Sequence, residues 1–147
     1  MKNFKLDNFI KDHAESVFPN YFSLDDVSAM EIASEIGRKI NFNTQHDGLS
    51  LVIALDSLSE ICPGVNARNE NFNLINFISD ANISSNEELF VNWYRYDDID
   101  KFNLCDLDKY FDYIWYPDVD DIDIFDSSFD WIISITHTGQ VKILKFK

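Results

Sequence analysis

Apolar residues recur at helical spacing early in the chain and alternate with polar ones late in it. Phe9, Ile10, Ala14, Val17 and Phe18 lie near a 3.6-residue period. That spacing predicts a first helix capped by Asp7 or Asn8 and stopped at Pro19, which lacks the N–H a helix interior needs. Ser23 and Asp26 make a variant capping box ahead of a second helix, Asp25 to about Ile36, that buries Val27, Ala29, Met30, Ile32, Ala33 and Ile36. Gly37 suits the left-handed residue after a helix, with Arg38 and Lys39 at the negative end of the dipole. The period then shortens to two. Ile40 and Phe42 alternate with Asn41 and Asn43, and Asp47 with Gly48 marks a turn. Leu49 to Leu55 is the most apolar run and predicts a central strand buried on both faces.

Asp56 to Glu60 suits a helical turn, Cys62, Pro63 and Gly64 a loop, and the polar Asn66 to Asn73 a connection. Leu74 to Ile78 fits either a strand or a short helix. Leu89 to Tyr96 reads as a strand, with Leu89, Val91 and Trp93 on one face and Phe90 and Tyr94 on the other. Leu104, Leu107, Phe111 and Ile114 recur at three and four, predicting a short helix from Cys105 to about Asp112. Ile122, Ile124 and Phe125 offer a short strand. Ile132, Ile133 and Ile135, then Val141, Ile143 and Phe146, make a hairpin around the turn His137 to Gln140. The pattern is α+β: two N-terminal helices packed on a mainly antiparallel sheet ending in a C-terminal β-hairpin. Residues 1–147 suffice for a single domain with a real core.

Charge adds to this pattern. The net charge is −14, and residues 80–130 hold 15 acids against Arg95, Lys101 and Lys109, whereas residues 131–147 have three lysines and no acid. So acidic a segment repels phosphate backbones, which disfavours direct nucleic-acid binding, and steers a basic partner inward. Cys62 and Cys105 lack CxxC spacing and read as free thiols in a reducing compartment. The N-terminus lacks the apolar core of a signal peptide, and no run approaches the roughly 18 apolar residues of a membrane span. The expectation is a soluble cytoplasmic protein without a membrane partner.

Candidate chemistry is sparse. Asp118, Asp120, Asp121, Asp123 and Asp126 offer hard-cation oxygens, but the run lacks the glycine and the terminal bidentate glutamate of an EF-hand loop. His13, His46 and His137 form no ligand spacing, and no phosphate-binding glycine loop or nucleophile elbow is present. No catalytic residue, metal ligand or cofactor is assigned. Tyr96, Tyr113 and Tyr116 sit beside aspartates, where aromatic rings bury large areas at interfaces at little entropic cost.

The segment from Ile114 to Val141 has the form IWYP-x-x-DD-x-x-IFD, followed by W-x-x-x-I-x-H-x-G-x-V. It resembles the C-terminal sheet of small bacterial immunity proteins, which neutralise polymorphic or contact-dependent toxins. The resemblance covers the last quarter of the chain. It implies a toxin-neutralising function, with a cognate toxin domain as partner. From charge and composition that domain is expected to be basic, of nuclease type, and the contacts expected are Asp97, Asp98, Asp100, Tyr113, Tyr116, Asp118, Asp120, Asp121 and Asp123. The alternatives are a metal-assisted or acid–base enzyme using the Asp118–Asp126 cluster with His137, and a generic acidic interaction domain.

Overall fold

The computed structural model describes residues 1–15, 17–18, 20–43 and 48–146. In chain order the elements are α1 (Asn3–Asp12), β1 (Tyr21–Ser23), α2 (Asp26–Lys39), α3 (Gly48–Leu58), β2 (Glu60–Asn66), α4 (Leu74–Asp80) and β3 (Glu88–Asn92). Then come β4 (Ile99–Asn103), α5 (Leu104–Lys109), α6 (Phe111–Ile114), β5 (Ile122–Phe125), β6 (Trp131–Ile135) and β7 (Gln140–Lys145). The fold is α+β. All seven strands join one sheet in the order β1-β4-β3-β5-β6-β7-β2, every neighbouring pair antiparallel.

Alternation along the strands sends apolar side chains to both faces, and each face has its own core. On one, Leu89, Val91, Phe102, Ile122, Ile124, Ile133 and Ile135 meet Leu74, Ile78, Leu107, Phe111 and Ile114 of α4, α5 and α6. On the other, Ile99, Phe125 and Ile132 meet Ala29, Ile32 and Ile36 of α2 and Leu51 and Leu55 of α3. The molecule therefore has helices on both faces of one sheet. Of the two N-terminal helices, α2 lies on the second face and α1 packs against α6 on the first.

The C-terminal hairpin forms as expected, with Ile133 opposite Ile143 and Ile135 opposite Val141, and Gln140 joins its second strand. Gly139 takes the left-handed conformation (φ 89°) and donates its N–H to the Thr136 carbonyl at 2.8 Å. Leu74 to Ile78 resolves as a helix, capped by Asn73 accepting from the Asn76 N–H at 2.8 Å.

Several expectations are corrected. The Leu49–Leu55 run is the helix α3: Leu51 and Leu55, four apart, form its buried stripe, and Ile53 stays 61% exposed. The first helix begins earlier than expected, at Asn3, has no side-chain cap and ends at Asp12, so Ala14, Val17 and Phe18 lie beyond it and Val17 is exposed. In α2 the cap is Asp25, which accepts from the Ser28 N–H at 2.7 Å, rather than a Ser23–Asp26 box. Val27 and Met30 lie outside its inward stripe of Ala29, Ile32 and Ile36 and are exposed. Gly37 is buried within the helix, so it does not end it. Ile40 and Asn41 form a turn rather than a strand. Cys62, Pro63 and Gly64 belong to β2, which as an edge strand tolerates a proline at the irregularity between Ile61 and Asn66. The strand after Leu89 stops at Asn92, and the helix read as one from Cys105 is two, α5 and α6. β1 and β4 were not foreseen. The stop at Pro19, the turn at Asp47 and His46 lie outside the described residues.

Candidate functional site

The antiparallel register brings distant acidic loops together. The β3–β4 turn, the lead into β5, the β6–β7 turn and the end of β2 all lie at one end of the sheet. Backbone bonds tie these loops: Asp118 N–H to the His137 carbonyl at 2.7 Å, and Ala67 N–H to the Gly139 carbonyl at 2.8 Å. Along this end Asp97, Asp98 and Asp118 are exposed and Asp121 is half-exposed. Three of the four have a cationic or potentially cationic neighbour. Arg68 Nη1 lies 2.8 Å from Asp118, His137 Nδ1 lies 2.9 Å from Asp121, and the N-terminal ammonium lies 3.8 Å from Asp98.

Asp100, Asp120 and Asp123 were expected among the contact residues, and they are buried instead. Each replaces its lost hydration with internal donors, as a buried carboxylate must. Asp100 accepts from the N-terminal ammonium at 2.5 Å, Ser23 Oγ at 2.6 Å and Trp93 Nε1 at 2.8 Å. Asp120 accepts from Lys5 Nζ at 2.5 Å and from the Tyr116 N–H at 2.8 Å. Asp123 faces α2 and α3, where it accepts from Tyr96 Oη at 2.8 Å and Ser134 Oγ at 2.6 Å. Burial pushes the Asp123 carboxyl above its ordinary value, against the opposing pull of those hydrogen bonds. Burial and the Asp123 charge likewise hold the Tyr96 hydroxyl well above its usual range, so it remains a donor.

The aromatic residues expected as anchors bond within the chain. Tyr96 is 3% exposed, which removes it from any contact surface. Tyr113 Oη donates to Asp12 at 3.0 Å, and Tyr116 Oη accepts from Asn8 at 2.9 Å. Both rings hold α1 against α6, and both stay half-buried. The hydroxyl bond to Asp12 raises the Tyr113 phenol above its ordinary range.

Lys5 is the site residue that reading the sequence missed. Its side chain has no exposed surface, and Nζ donates to the Ile114 carbonyl at 2.6 Å as well as to Asp120. The ammonium stands 4.1 Å from the centre of the Trp93 ring and 5.1 Å from that of Tyr116, within cation–π range. Burial lowers the Lys5 pKa, and Asp120 opposes that shift. A signal was present, since Lys5 precedes Phe9 by four residues and so shares its helical stripe.

The carboxylates of the proposed enzymatic cluster diverge. Asp118 turns to Arg68, Asp120 to Lys5, Asp123 to Tyr96, and Asp126 to the Asn86 and Ser128 backbone amides. A cavity of about 260 Å³ between α3 and the sheet brings Asp56, Asp121 and Asp123 near one another. Each already has a partner there, Asp56 through Lys142 Nζ at 2.5 Å. Among the described residues no group of His, Cys, Asp and Glu is placed to hold a metal ion, and no helix is long and apolar enough to cross a membrane. The chain matches no family model, no curated protein and no solved structure.

Proposed function

We propose that this chain is a non-enzymatic binding protein of the immunity type, which occludes a basic toxin domain with the acidic end of its sheet. The observation that supports this reading is the gathering of Asp97 and Asp98 from the β3–β4 turn, and of Asp118 and Asp121 from the lead into β5, onto one exposed end. Convergent like charge on a surface raises the encounter rate with an opposite charge and disfavours wrong partners. Against a nuclease-type cleft, these carboxylates would stand where substrate phosphates stand. Asp100, Asp120 and Asp123 serve the fold and take no part in the contact.

The test alters only the exposed acids. Asp97 and Asp98 are changed to Lys. Asp118, held at φ 66° where asparagine is tolerated, is changed to Asn, as is Asp121, whose oxygen accepts from the His137 N–H. The variant is co-expressed with a basic toxin domain that the wild type neutralises, cell survival is scored, and circular dichroism checks the fold. The expected result is a folded protein that no longer protects. Full protection by the folded variant would overturn the acidic end as the contact surface.

A further inference from the structure

We propose that Trp93, Tyr116, Asp120 and the Ile114 carbonyl form a binding site for a primary alkylammonium group, occupied in the free chain by the side chain of Lys5. Every wall of the site comes from outside α1: Trp93 follows β3, Ile114 ends α6, and Tyr116 and Asp120 lie in the lead to β5. The site supplies what an ammonium needs after leaving water. A carboxylate oxygen lies at 2.5 Å, a carbonyl oxygen at 2.6 Å, and two aromatic faces at 4.1 and 5.1 Å from Nζ. Asp120 is fixed independently of Lys5, because the same oxygen also accepts from the Tyr116 N–H and the Asp120 carbonyl accepts from Trp115 Nε1 at 3.0 Å.

The helix that delivers Lys5 buries few of its own side chains. Of its ten residues only Lys5 and Phe9 are buried, and Phe4 and Ile10 remain 40% and 55% exposed. A buried ion pair adds little net stability, because desolvating both charges offsets most of their attraction. Lys5 thus occupies the site as an internal ligand that a second ammonium can replace. Resting on the reading of the chain as a binder of a basic protein, the natural occupant on exchange is a lysine side chain of that protein.

The test needs no partner. Lys5→Ala keeps the Cβ and removes Cγ to Nζ, and n-propylammonium replaces that missing stem and charge. The variant is expected to melt below the wild type. Roughly ten times its Kd of n-propylammonium should raise the variant's Tm by about 3–6 °C more than the wild type's. n-Propanol, with the stem but no charge, should not. Lys5→Met, which fills the stem with its own side chain, should gain nothing from either compound. Should Lys5→Ala be unfolded, n-propylammonium must restore its circular dichroism signal. Equal shifts in wild type and Lys5→Ala, rescue by n-propanol as strong as by the amine, or an unfolded variant that the amine leaves unfolded would each overturn the site. Failure here leaves the acidic end untouched, and failure of the survival test leaves this site untouched.

Discussion

Asp123 shows how a single buried carboxylate ties this fold to pH. It is enclosed between the sheet and the α2–α3 layer, and burial raises its pKa above the ordinary 3.8. The folded state therefore holds the proton more tightly than the unfolded chain does. Its stabilising contribution is complete below about pH 3.8 and is lost as the pH rises through the raised folded value. Asparagine does not titrate and still offers one oxygen to Tyr96 or Ser134. The stability of the wild type minus that of Asp123→Asn should thus fall as pH rises from about 4, then level off. Urea denaturation at a series of pH values measures this difference. A difference that grows with pH would show that the internal donors, rather than burial, dominate at Asp123.

At the scale of elements, glycines separate close packing from backbone conformation. Gly48 opens α3, and a Cβ added there would stand 1.6 Å from the Arg95 carbonyl oxygen in the β3–β4 turn. Neither backbone can yield without moving the end of the sheet where the exposed carboxylates lie. Gly48→Ala should destabilise the protein by about 3 kcal/mol or more, the upper end of what overpacking costs. Gly64 in β2 has open space around its missing side chain but takes φ 75°, so Gly64→Ala should cost only the conformational penalty of about 1–2 kcal/mol. Thermal melts of the two variants compare them, and a Gly64→Ala loss matching that of Gly48→Ala would refute the steric account. The same elements show where the sequence was legible. The terminal hairpin could be read because alternation and a turn glycine agree. The Leu49–Leu55 run could not, because an apolar stretch of that length fits a buried strand or a helix equally, and the contact at Gly48 is made with residues far along the chain. β4 escaped because Asp97, Asp98 and Asp100 disguise it: a carboxylate that tertiary donors will bury looks like any surface acid. For the same reason the expected contact set mixed surface acids with core ones. Spacing to Phe9 could place Lys5 on the buried stripe of α1, but not its role as a site, because its partners Trp93, Ile114, Tyr116 and Asp120 lie about a hundred residues away.

For the molecule as a whole, the net charge of −14 acts through its placement. Asp100 and Asp120 are each neutralised internally, by an ammonium from the N-terminus or from Lys5. Asp118 faces Arg68 across an exposed ion pair, which solvent leaves worth little, and Asp98 lies 3.8 Å from the N-terminal ammonium. The field reaching solvent from the acidic end comes from Asp97, Asp98, Asp118 and Asp121, with Asp98 and Asp118 partly offset. A field of this kind speeds encounter with a cationic surface and is screened beyond about 8 Å at physiological salt. If the proposed partner is captured this way, its association rate should fall about tenfold or more between low and physiological ionic strength, while dissociation changes far less. Stopped-flow or surface-binding kinetics with the purified toxin domain give both rates. The variant with Asp97 and Asp98 changed to Lys should associate slowly at low salt and lose most of its salt dependence. Asp123→Asn, which alters a charge inside the protein, should keep the wild-type slope. A wild-type association rate that stays flat across the salt range would remove electrostatic capture from the mechanism and shift the contact to the apolar outer face of α2, where Val27 and Met30 are exposed.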